Sequence, residues 1–173
     1  MNFCEVPYCM YRDFPLKVKG ELSMRDFIIS SATYKYLIEH MVNIEDEKIN
    51  VINEFYPEET IEKIEYENLI NDYIAKIEAF LKKASNNNQT DLHLPFITIG
   101  SIVEIMEADS GELITIQVVS PFFNKTAIEV DCASYLSPVG RALLLKKVND
   151  KVKVLTPIGE FNYTVISIKH VSE

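Results

Sequence analysis

The chain has 173 residues and a formal net charge of −9, enough for one ordinary domain or two small ones. Hydrophobic residues at 47% and charged residues at 25% give the balance of a folded soluble protein, and the acidity argues against broad electrostatic attraction to nucleic acid. No apolar run approaches the roughly 18 residues that a membrane span needs, and the start lacks the basic-then-apolar pattern of a secretory signal, so the expected location is the cytoplasm, with no membrane contact.

Residues 1–23 hold two prolines and two cysteines without a clear period and read as an irregular arm. Cys4, Cys9 and Cys132 are an odd set, which argues against a disulfide framework. A metal site at Cys4 and Cys9 lacks the second close pair or nearby His that a tetrahedral set needs. Free thiols are the plainer expectation.

Over 31–56 the apolar residues recur at helical spacing: Tyr34, Leu37, Ile38, Met41, Ile44, Ile49, Ile52 and Phe55. Ser30 or Ser31 suits the N-cap. Pro57 stops that helix, and its ring is tolerated in the first turn of a new one. The second helix is expected over 58–84, with Ile61, Tyr66, Ile70, Tyr73, Ile77 and Phe80 on one stripe. Two such helices joined at Pro57 should pack as an antiparallel hairpin, with the stripes as its seam. The polar run 85–90 then marks a linker.

Beyond it the period changes to two. Strands are expected at 102–106, 113–119 and 128–130, with a short helix at 139–145. Val152 and Val154 alternate with lysines, and a turn at 157–159 leads to a last strand with Phe161, Tyr163 and Val165 on one face. The expected fold is α+β. A helical hairpin over 24–85, linked by 86–94, precedes an antiparallel sheet domain with one short helix over 95–173. Charge is split between the two: 45–67 carries nine acids and two lysines, whereas 137–173 carries Arg141 and five lysines against three acids. Such a dipole can orient a protein on a partner, although two solvated faces would also give it.

The stretch SPVGRALLLKKVNDKVKVLTPIGE over 137–160 resembles the C-terminal signature of the GreA/GreB transcription elongation factors, roughly SPxGxALLGKxxGDxVxVxTPxGE. Leu145 and Asn149 replace two of its glycines. Asn tolerates a left-handed backbone. Leu does not, so the turn after the short helix is expected to differ. The stretch from Ile29 to Leu37 is also similar to the family's first-helix pattern, close to LTxEGYEKL, with Tyr34 and Leu37 in register.

The resemblance implies a coiled-coil finger on an FKBP-like domain that docks beside the secondary channel of RNA polymerase. Residues at the docking loop would be Ser137, Pro138, Val139, Gly140 and Arg141, and Ser137 with Pro138 also reads as an ordinary helix start. The family's finger tip carries two acids that help hold a Mg²⁺ of the polymerase, which activates water to cleave a backtracked transcript. Matching the tip pattern ENAEY to 62–66 puts those acids at Glu59 and Glu62. Each arm of the finger is then five or six residues short, a deficit of roughly 8–9 Å. On that alignment the factor either stimulates cleavage or only occupies the channel, as in the short-fingered regulator of nucleoside diphosphate kinase branch. It would be a monomer without a cofactor of its own, sharing Mg²⁺ only through the polymerase and touching nucleic acid only indirectly. It would not be an enzyme itself. As helix-start residues, Glu59 and Glu62 also have an ordinary explanation.

The family's acidic segment before the third strand is missing, and VVSPFFN stands over 118–124 instead. Family members commonly begin near Met24. Lysine outnumbers arginine fourteen to three, so Lys19, Gly20 and Glu21 fit a ribosome-binding sequence in an AT-rich genome. Translation is therefore expected to start at Met24, and peptides containing Cys4 or Tyr11 in the native protein would contradict that. An isomerase activity borrowed from the FKBP-like fold is disfavoured, because the aromatic pocket it needs is floored by Trp and the chain has none. A binding module for some other partner is the remaining alternative. His40, His93 and His170 have no metal-ligand spacing, and five glycines form no phosphate loop.

Overall fold

The computed structural model describes residues 27–122, 130–157 and 159–170. Cys4, Cys9, Met24 and the arm before them lie outside the described residues, as do Ile128 and the turn residue Ile158. In chain order the elements are β1 (Phe27–Ser30), α1 (Ser31–Phe55), α2 (Ile61–Lys83), β2 (Ala84–Asn87), β3 (Ile102–Glu107), β4 (Leu113–Val119), β5 (Asp131–Ser134), α3 (Pro138–Leu143), β6 (Lys151–Thr156) and β7 (Gly159–Lys169).

Helix α1 begins where Ser30 caps it: Thr33 N–H donates to Ser30 Oγ at 2.9 Å. Its buried Leu37, Ile44 and Val51 are spaced by seven, the period of a helical seam. The charged stretch at Glu45 to Lys48 does not break it, because only the seam positions need be apolar. On α2 the buried positions Tyr66, Ile70, Tyr73, Ile77 and Leu81 advance by four and three, which is the matching seam. Burying each large apolar side chain contributes about 1.5–3 kcal/mol. The antiparallel helical hairpin is therefore as expected.

Its second arm starts later than the spacing suggested. Residues 57–60 form a non-helical loop, and α2 opens at Ile61. The reason is Thr60, whose side chain accepts from Lys63 N–H and outcompetes Pro57 as the point of initiation. The polar run after α2 also begins as structure: Ala84–Asn87 pairs in parallel with Phe27–Ser30. Ser31 Oγ then donates to Asn87 O at 2.7 Å, closing the open end of the hairpin.

The larger sheet has the order β5-β4-β3-β7-β6. It is mixed rather than antiparallel throughout, because β4 and β5 run parallel. Of the strand expected over 128–130, residues 128 and 129 lie outside the described residues; the strand seen next in the chain is Asp131–Ser134, where Asp131 to Ser134 pair with Ile116 to Val119. Val103, Ile105, Val118, Leu143, Val152, Val154 and Val165 fill the core between this sheet and α3. A register shift between Glu104 and Ile105 bends β3 against β7.

Helix α3 lies so close to β5 that only glycine fits at one point. A Cβ on Gly140 would stand 2.0 Å from Ser134 O. The turn after α3 corrects a sequence expectation: Leu145 adopts φ 63° and Asn149 φ 71°, so both glycine replacements keep a left-handed backbone. Hydrogen bonds on both sides hold Leu145 there. Leu145 N–H donates to Ile97 O at 2.9 Å, and Ile97 N–H donates to Lys146 O at 2.8 Å. The half-buried Leu145 side chain packs on the core, which offsets the backbone cost of about 1–2 kcal/mol.

Candidate functional site

The residues singled out from the sequence fall in two places. Glu59 and Glu62 are at the hairpin tip, and Ser137, Pro138, Val139, Gly140 and Arg141 form the turn into α3. A chain of contacts between helical hairpin and sheet domain connects them.

At the tip, Tyr56 N–H donates to Ile52 O at 3.1 Å and ends α1. Glu59 precedes the cap and its side chain is 79% exposed, but it makes an ion pair with Lys63 one turn later, whose side chain is only 12% exposed. Glu62 is half-buried in the first turn of α2, where the helix dipole favours its charge. It stands close enough to Tyr56 to matter: burial first, then the Glu62 carboxylate, raises the Tyr56 hydroxyl above its usual range. The two acids thus answer to different neighbours, Lys63 and Tyr56. Among the described residues no group of three or more His, Cys, Asp or Glu is placed to hold a metal ion. A hard divalent cation at the tip would have to displace Lys63 from Glu59 and draw most of its ligands from elsewhere.

In the turn at α3, Ser137 Oγ accepts from Gly140 N–H at 3.1 Å and donates to Ser134 O at 2.7 Å. Pro138 follows as the first helical residue. The five residues are not equally available. Pro138 is exposed, Ser137, Val139 and Arg141 are half-buried, and Gly140 is buried against β5. Gly140 therefore serves the packing of α3 and offers a partner no surface.

The contacts joining tip and turn were not singled out in the sequence. Tyr135 is fully buried two residues ahead of Ser137, and its hydroxyl donates to Glu47 Oε1 on α1 at 3.2 Å. It also lies 3.4 Å from Tyr66 Oη on α2. Burial comes first among the causes that push the Tyr66 hydroxyl up to about 12 and the Tyr135 hydroxyl higher still, and the Glu47 charge adds to both. Farther along, Phe122 reaches the tip: its ring centroid is 4.9 Å from Phe55, 5.6 Å from Tyr66 and 6.2 Å from Tyr56. Tyr56 stacks on Tyr66 at 5.6 Å. The apolar VVSPFFN replacing an expected acidic segment was the available signal for Phe122. Nothing local marked Glu47, whose partner is 88 residues away.

The other end of the helical hairpin has its own junction. Tyr73 Oη accepts from Ile99 N–H at 3.1 Å and lies 2.8 Å from His40 Nε2. Tyr36 Oη is 3.2 Å from Thr98 Oγ1, and the Tyr36 ring contacts both His40 and His170. Phe80 meets Phe96 edge to face. Burial, helped by the nearby His170, lowers the His40 pKa to about 4 and keeps its ring neutral at physiological pH. His40 and His170 thus share one junction despite their distance in sequence. The peptide N–H of His93 donates to Thr33 Oγ1 elsewhere.

With this geometry in view, similarity to known proteins is informative. Residues 93–170 match the family described as "Transcription elongation factor, GreA/GreB, C-term". The chain is 33% identical over 119 residues to transcription elongation factor GreA of Clostridium acetobutylicum, covering 62% of this chain and 71% of that one. It is 39% identical over 101 residues to GreA of Thermosipho africanus, covering 56% and 59%. The similarity spans about three fifths of the length of that relative. A solved structure of a GreA/GreB factor from Nitrosomonas europaea is similar at 20% identity and TM-score 0.45, over 84% of this chain and 99% of that one. No helix among the described residues is long and apolar enough to cross a membrane. The chain belongs to the GreA/GreB family of transcription elongation factors.

Proposed function

We propose that the chain binds RNA polymerase through the turn at 137–141 and places its short helical finger in the secondary channel, acting as an occupant of that channel rather than as a cleavage factor. Family membership supports the partner. The observation that carries the choice between the two roles is the pairing of Glu59 with Lys63, together with the contact of the tip with Phe122. The first acid already has a cation, and the finger gains little reach beyond the sheet domain. α1 spans 25 residues, about 38 Å at the helical rise, but its last residue already touches Phe122.

A second reading keeps Glu59 and Glu62 as acids that assist a Mg²⁺ shared with the polymerase during transcript cleavage. It is favoured by their placement three residues apart at the tip, Glu59 just before the Thr60 cap and Glu62 in the first turn of α2. A binding and activity assay with polymerase from the same organism separates the readings. The occupant reading expects the parent chain to bind and displace a GreA factor without stimulating cleavage. It expects Pro138→Glu, an exposed change in the turn, to weaken binding at least tenfold. Unchanged binding by Pro138→Glu would move the docking surface elsewhere, and cleavage that disappears in Glu59→Ala/Glu62→Ala would establish the second reading.

A further inference from the structure

The tip of the helical hairpin stays exposed while being held. Glu59 faces water, yet Phe55, Tyr56 and Tyr66 gather around one ring of the sheet domain, that of Phe122. Phe122 is aimed by a tight local turn, in which its N–H donates to Ser120 Oγ at 3.3 Å. Ser120 is one residue beyond β4, the strand that pairs with β5, and β5 leads directly to Tyr135 and the turn at Ser137. Tyr135 adds the second fastening, to Glu47 and Tyr66. Both arms of the hairpin are therefore bound to the two strands that carry the proposed docking turn. The base contacts alone would fix where the hairpin leaves the domain, but not the direction of its last three turns.

We propose that Phe122 is a positioning residue, a latch that together with the Tyr135 hydroxyl fixes the direction of the acidic tip relative to the turn at 137–141. The latch does not hide the tip, so it is not an inhibitory cover. It removes the bending freedom that a finger anchored only at its base would keep. Its contacts lie at the edge of the interface, where Phe55 remains 45% exposed, so it opens more readily than the buried base. The consequence for polymerase rests on the function proposed above. Docking affinity belongs to the turn, whereas the effect exerted once docked belongs to the latched tip.

Two measurements test this on the full chain. Spin labels at Glu58→Cys and Glu112→Cys, with Cys4, Cys9 and Cys132 changed to Ser, report the distance from tip to sheet domain in the free protein. One narrow distribution is expected for the parent and for Phe122→Tyr, and a distribution at least twice as broad for Phe122→Ala. Tyr135→Phe should broaden it less. Circular dichroism and the melting midpoint identify any variant that fails to fold, and Phe122→Leu then takes the place of the alanine variant. An unchanged narrow distribution in the folded variant would overturn the latch. With polymerase, Phe122→Ala should keep its Kd within threefold while its maximal effect on elongation at saturation falls at least fivefold, and Phe122→Tyr should restore it. Equal loss of affinity and effect would overturn the positioning role and leave ordinary packing. If the parent itself binds no polymerase, the proposed function fails, and the spin-label result still decides the latch.

Discussion

The two ends of the helical hairpin are joined to the sheet domain by different physics. At the base, Tyr73 is enclosed among Ile99, His40 and Tyr36, with its hydroxyl bonded on two sides. At the tip, Tyr56 and Tyr66 meet Phe122 edge-on and Phe55 meets it at a tilt, with Phe55 left 45% exposed. A buried hydrogen-bonded junction is costly to open, because each orphaned polar group costs about 1–3 kcal/mol. An exposed aromatic contact is worth about 0.5–1.5 kcal/mol per pair. The base therefore fixes the fold, and the tip contact sets a direction that can be lost without unfolding.

The largest expected effect comes from breaking the base. Tyr73→Phe strands the Ile99 N–H and removes the partner of His40, so chemical denaturation should show a loss of about 3 kcal/mol. A loss under about 1 kcal/mol would mean that the two junctions do not differ as described.

Acid should act next, through His40 at the base. His40 is lowered from 6.5 to about 4 by burial and His170. Above pH 6.5 its ring is neutral in both folded and unfolded chains, and its contribution is fully present. As pH falls below 6.5 the unfolded chain takes up a proton that the folded chain refuses until about pH 4, so stability declines across that window. Between pH 7.5 and pH 5 the His40 share of that loss is about 2 kcal/mol. His40→Gln should flatten the pH dependence by that amount, and equal slopes for the two proteins would remove His40 from the account.

Breaking the tip should cost less. Phe122→Ala removes three ring contacts and is expected to lose about 1.5 kcal/mol in denaturation, the low end for three pairs, while the base stays formed. Loss as large as that of Tyr73→Phe would show that the tip is as much a part of the fold as the base. A control outside both junctions sets the background. Asn149 has φ 71° and an exposed side chain, so Asn149→Ala should cost about 1 kcal/mol or less, and Asn149→Gly almost nothing.

Local chemistry made much of the architecture legible. The seam positions of both helices, the Ser30 and Ser137 caps and the alternation at Val152 and Val154 each follow from patterns within a few residues. Where two local signals competed, the weaker one was easy to choose: Pro57 suggested an earlier start for α2 than the Thr60 cap gives. Leu145 was misread because a left-handed backbone is costly for leucine when considered alone. The bonds to Ile97 that hold it there come from 48 residues away. The parallel pairing of β5 with β4, and of β1 with β2, has no signature in either strand by itself. The same holds at the candidate site. Glu59 and Glu62 could be placed at the tip from a motif, but the Lys63 pairing and the Phe122 contact needed geometry.

The most direct test of the central claim is a transcript-cleavage assay on a backtracked polymerase complex from the same organism, run with and without a competing GreA factor. The chain should stimulate no cleavage and should suppress the GreA-stimulated reaction in proportion to its concentration. Cleavage by the chain itself, abolished in Glu59→Ala/Glu62→Ala, would contradict it.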